Sequence, residues 1–176
     1  MQPFTVESIN ETLEQFGVSP ASVKSAVDAV ETATEAVSFL SDAIVESPHG
    51  AVIDWSQTLE EGLDALSVPC SHCGVGIAYR VEDSTSNAFV EVAMRGIAKT
   101  ISPHYRPRED SFHEVAHAVE KAVDGHIRIF SLRSTHGTDT YTYAVLRKHD
   151  WERLLHAMGN SAFNALFIGL DGKHIV

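Results

Sequence analysis

Residues 113 to 117 read His-Glu-Val-Ala-His. Side chains four apart stack on one face of a helix, so His113 and His117 can present two imidazoles to one metal ion. Glu114 then lies beside that face, where a carboxylate can take a proton from a metal-bound water. The chain's two cysteines, Cys70 and Cys73, form a second pair of ligand type in Cys-Ser-His-Cys-Gly. Cysteines at this spacing with glycine next suit a tight zinc knuckle, because the intervening amides point at the sulfurs and glycine permits the turn. If both pairs share one ion, the chemistry is structural. If the histidines act with a third ligand from elsewhere, it is water activation.

The segment Cys70 to Gly74, leading into a strand, locally resembles the knuckles of zinc ribbons and treble clefs. A second Cys-x-x-Cys is missing, so the resemblance implies completion by His113 and His117, which have the spacing of helical histidines that close such a site. A DNA-reading finger is excluded. Its helix must be basic, whereas this one carries Glu114, Glu120, Asp124 and only Lys121. Ser111, Val115 and Ala116, uncharged, and apolar Val119 resemble the zincin consensus, which implies a zinc hydrolase with Glu114 as general base. Glu120 and Val123, however, stand where a metzincin has glycine and histidine. Only Glu152 and His156 offer a downstream third-ligand pattern. Ser111-x-x-Glu114 also has the form of a capping box, which puts the motif in the first helical turn and gives Glu114 a structural task. Without metal, His113, His117, Glu120 and Asp124 form one solvated polar stripe. A redox pair at Cys70 and Cys73 would sit at a helix N-terminus, whereas here a strand pattern follows. Glycine-rich phosphate loops and Gly-x-Ser-x-Gly elbows are absent from the sequence.

The elements that must position these residues follow from periodicity. Val6, Ile9, Leu13 and Phe16 step by three and four up to Gly17, which predicts a helix. Ser19-Pro20 opens a second, with Val23, Val27, Val30, Thr34, Val37, Ser41 and Ile44 in heptad steps, suited to a small helical bundle. Pro48-His49-Gly50 breaks it, and Asp54 opens a third helix through Trp55, Leu59, Leu63 and Leu66. Residues 74–81 alternate as a strand, and Asp83 to Ser86 read as a turn. Residues 87–101 have helical spacing through Phe89, Val90, Met94, Ile97 and Ile101. After a polar loop, the motif helix starts near Ser111 and ends at Asp124-Gly125. Residues 127–134 and 141–147 pair as a hairpin, Asp150 caps a short helix through Met158, and 165–176 form a hairpin turning at Asp171-Gly172.

Charge is strongly uneven. Residues 1–66 hold twelve acids against the single base Lys24, while residues 67–176 hold twelve of each. The first part therefore repels nucleic acid and anionic membranes and suits a basic protein partner. No apolar run reaches the ~18 residues of a membrane span, and the first residues have no signal-peptide pattern. Two closely spaced cysteines fit a reducing compartment, so the expected location is cytoplasmic.

The expectation is an α+β protein: an acidic helical region, 1–66, followed by a mixed domain, 67–176, with two β-hairpins and two or three helices. Its expected role is non-enzymatic. Zinc held by Cys70, Cys73, His113 and His117 would staple the mixed domain, and the helical region would bind a protein partner or self-associate. The alternatives are a zinc-dependent hydrolase using Glu114 and a metal-free assembly protein.

Overall fold

Thr5, Thr32 and Thr58 each start a helix by the same device. Each threonine hydroxyl accepts the amide proton of the residue three on, and that residue's side chain accepts the threonine's own amide, satisfying two otherwise orphan donors. They open α1 (Val6–Gln15), α3 (Ala33–Glu46) and α4 (Leu59–His72), with a short α2 (Lys24–Asp28) between the first two. The computed structural model describes residues 4–82 and 87–175. The turn expected at 83–86 lies outside them.

The heptad stretch is therefore not one helix. Thr32 and Glu35 restart it, and its apolar side is used within the chain, with Val27, Ala36, Leu40 and Ile44 buried. The first third is also not all helix. Residues Gly50–Asp54 form strand β1, with Ala51 and Ile53 inward and Val52 outward. Gly50 has to be glycine-sized, since a Cβ there would collide with the Ile44 carbonyl. The third helix consequently starts at Leu59 rather than at Asp54.

Two antiparallel sheets follow. The strand expected at residues 74–81 is β2 (Val75–Glu82). The helix expected over 87–101 is instead a hairpin of β3 (Asn87–Met94) and β4 (Ile97–Ile101). Its two-residue turn, Arg95-Gly96, has φ of 51° and 80°, as a primed hairpin turn requires. Ala88, Val90 and Val92 are buried on one face of β3, a period of two that the helical spacing had masked. After α5 (His113–Ala122), β5 (Ile127–Leu132) and β6 (Thr140–Arg147) form the expected hairpin. Helix α6 (Lys148–Leu166) is longer than expected, starting after Arg147 so that Asp150 is its third residue rather than its cap, and breaks at Gly159, whose φ of 72° and ψ of 162° are not helical. Strand β7 (Phe167–Ile168) pairs with β5, so the hairpin expected over 165–176 does not form; its turn does, with Gly169 donating to the Lys173 carbonyl.

The fold is thus mixed α+β, with sheet orders β1-β6-β5-β7 and β2-β3-β4. Alternation along β5 and β6 gives the larger sheet two apolar faces. Phe130, Leu132, Ala144 and Leu146 join residues of α1, α3 and α6 in one core. Ile127, Ile129, Tyr143 and Val145 join α4, α5 and the three-stranded sheet in the other. No helix among the described residues is long and apolar enough to cross a membrane.

Candidate functional site

Helix α5 buries Val115, Ala116 and Val119 against the larger sheet, which leaves Glu114 and His117 exposed and His113 half-buried. Its N-terminus is fixed by the fully buried Phe112, which packs edge-on against Tyr105 at 5.5 Å between ring centres. Phe112 is also the N-cap, so the Ser111–Glu114 capping box does not form. Ser111 instead accepts the His113 amide at 3.2 Å. The motif does lie in the first turn.

His113, Glu114 and His117 line one cleft of about 570 Å³ between α5 and the C-terminal turn, together with Arg128, Leu170 and His174. Glu120 faces the same cleft but is already committed. Its carboxylate accepts the Ile129 amide at 2.9 Å and pairs with Arg128 at 3.2 Å, capping β5 where the two-residue β7 gives it no neighbour.

His113 is the most constrained of the motif residues. Its Nδ1 lies 2.8 Å from the Tyr143 hydroxyl, its ring stacks on His136 at 5.7 Å, and Tyr141 meets it edge-on at 5.0 Å. Burial, with His136 beside it, lowers the His113 pKa to about 4, so the imidazole is neutral near pH 7. Burial also raises the Tyr143 pKa and keeps its phenol protonated. Between a neutral phenol and a neutral imidazole either Tyr143 Oη or His113 Nδ1 can donate, according to the ring tautomer. A ligating histidine donates from one nitrogen while the other binds the metal. Metal binding through Nε2 requires the tautomer in which Nδ1 donates to the Tyr143 oxygen.

The cysteines occupy a different setting. Helix α4 continues through Pro69, so Cys70 is helical and fully buried in the core, and Cys73 is the helix C-cap. Gly74, with φ of 81°, ends the helix in the left-handed conformation. The glycine that would shape a knuckle is a helix terminator, and the expected knuckle turn is corrected to helix. The Cys73 thiol donates to the Val145 carbonyl at 3.6 Å, and His49 Nδ1 donates to the same oxygen at 3.1 Å. His49 Nδ1 lies 3.9 Å from the sulfur, but its proton points to Val145, so it is no base for the thiol. Burial pushes Cys73 up to about 11 and raises Cys70 as well, while burial lowers His49. This is a neutral pair, not a thiolate–imidazolium nucleophile.

The two sequence-marked pairs therefore have different neighbours, and among the described residues no three histidine, cysteine, aspartate or glutamate side chains converge as a metal-holding group. Tyr143, His136 and His49 escaped the sequence reading. The alternation of β6 was visible, but nothing in it said that Tyr143 would face His113. Fold and site together define an α+β protein with helices on both sides of an antiparallel sheet and a histidine-lined cleft at one helix N-terminus. Comparison with protein-family models, curated proteins and solved structures found no match to this chain.

Proposed function

We propose that this chain is a non-enzymatic binding protein whose N-terminal helical layer docks a basic protein partner. One observation carries the reading. Helices α1 to α3 turn their apolar side to the larger sheet and α6, and leave Glu7, Glu11, Glu14, Asp28, Glu35, Asp42 and Glu46 exposed on the outside. Lys24 is the only base there and already pairs with Asp28 at 2.6 Å. Such a surface attracts cations over distances of about a Debye length and favours encounter with a lysine- or arginine-rich face. Titrating the full chain with a basic helical peptide should give saturable binding that weakens with salt. The triple reversal E7K/E11K/E14K should weaken it about tenfold. Equal binding by the variant would remove this layer as the docking face.

A zinc-dependent hydrolase is the second reading, supported by the shared cleft of His113, Glu114 and His117. It predicts stoichiometric zinc in protein purified without chelator and peptide or amide hydrolysis that Glu114→Gln abolishes while zinc stays bound. Zinc that is instead lost in Cys70→Ser would support a staple through the cysteines. Protein without zinc would leave the partner-binding role metal-free.

A further inference from the structure

We propose that a second cleft, at the N-terminus of α6, binds a small phosphorylated ligand. The cleft has a volume of about 580 Å³ and is lined by Arg95, Arg147, Lys148, His126 and Cys73, with Glu152 the one carboxylate among its described lining residues. All three cations come from residues 67–176, where acids and bases balance at twelve each.

The fold assembles them from three places. Arg95 is held out at the tip of the β3–β4 turn in a left-handed conformation, with φ of 51°. Arg147 ends β6 and spends one guanidinium nitrogen on the His72 carbonyl at 3.2 Å. Lys148 opens α6. Neither Arg95 nor Lys148 has an ion-pair or hydrogen-bond partner for its charged group among the described residues. Asp150 is in the first turn of the helix, where its carboxylate accepts from His149 at 2.8 Å.

The backbone adds to the same field. Helix α6 has no side-chain cap at its N-terminus; the Lys148 amide is taken by the His126 carbonyl at 2.9 Å, and the next amides of the first turn have no intrahelical acceptor. Uncapped amides, a helix dipole and guanidinium forks favour a compact, multiply charged oxyanion, and phosphoryl oxygens match fork geometry. The volume exceeds that of inorganic phosphate alone, which leaves room for an organic moiety against Met94 and Cys73.

Pyrophosphate is the probe, titrated into the full chain and followed by calorimetry and by amide NMR shifts. Shifts should concentrate at residues 95–96, 126 and 147–150, with affinity falling as salt rises. The exposed side chains of Arg95 and Lys148 make R95A/K148A a variant expected to fold normally, checked by its melting temperature. It should bind pyrophosphate at least about tenfold more weakly, the loss of two charge-assisted contacts. Undiminished binding by the variant, or no saturable binding by the native chain, would overturn the proposal. Equal affinity for succinate would overturn the phosphoryl assignment.

Discussion

His113 is held from three sides, by the Tyr143 hydroxyl at Nδ1, the His136 ring against its face and the edge of Tyr141. Its pKa, lowered to about 4 from an ordinary 6.5, has a sign that can be read in stability. As pH falls below about 6.5 the unfolded chain takes up this proton before the folded chain does. The contribution of neutral His113 is therefore complete above that pH and is lost as pH falls toward about 4. Melting temperature should drop across this window, and His113→Asn should flatten the slope; His49, also lowered by burial, keeps it from vanishing. An unchanged slope in the variant would show that His113 is not the group responsible. Tyr143→Phe removes only the phenol hydroxyl, and should cost about 1 kcal/mol and shift the imidazole nitrogen signals. The motif face was legible because helical spacing is local. Its partner was not, since Tyr143 reaches it from another element thirty residues on.

Elements were legible where local chemistry pointed one way. Residues 74–81 alternate, Gly125 stops a helix, and the β5–β6 hairpin has two apolar runs with a polar loop between them. At 87–101 two periods competed. Val90, Met94, Ile97 and Ile101 satisfy helical spacing, whereas the buried set Ala88, Val90 and Val92 satisfies the strand. The Arg95-Gly96 turn decides it, because both residues must adopt positive φ. Gly96→Ala should therefore destabilise the chain by about 1 kcal/mol in denaturant melts without altering any side-chain contact, since a Cβ there meets nothing within 4 Å. Gly62 makes the opposite case. Its conformation is ordinary helix, yet an added Cβ would strike the Phe112 ring, which sets the start of α5. Gly62→Ala should cost roughly 1–3 kcal/mol through overpacking and shift the His113 ring signals. A thermal melt and a spectrum unchanged from the native chain would remove Phe112 as the link between α4 and the cleft.

At the scale of the whole molecule, the acidic N-terminal segment shares its core with the C-terminal half. Ile9, Leu13, Phe16, Leu40 and Ile44 are buried with Phe130, Leu146, Leu154, Phe163 and Phe167, and β1 pairs with β6 along Gly50–Asp54. Charge and helical periodicity divide the chain near residue 66, but neither property reports which apolar stripe meets which sheet face. Burial is where the coupling lies. Removing residues 1–46 would uncover the part of one face of the larger sheet and of α6 that α1 and α3 cover, and each large apolar side chain returned to water forfeits about 1.5–3 kcal/mol, enough over several residues to exceed the ~5–15 kcal/mol stability of an ordinary domain. Calorimetry of the intact chain should then show one transition with calorimetric and van't Hoff enthalpies in agreement. The 47–176 fragment should bind hydrophobic dye and lack a cooperative melt. A fragment that melts cooperatively on its own, with two resolved transitions in the full chain, would mean that the acidic helices dock on a sheet already stable without them.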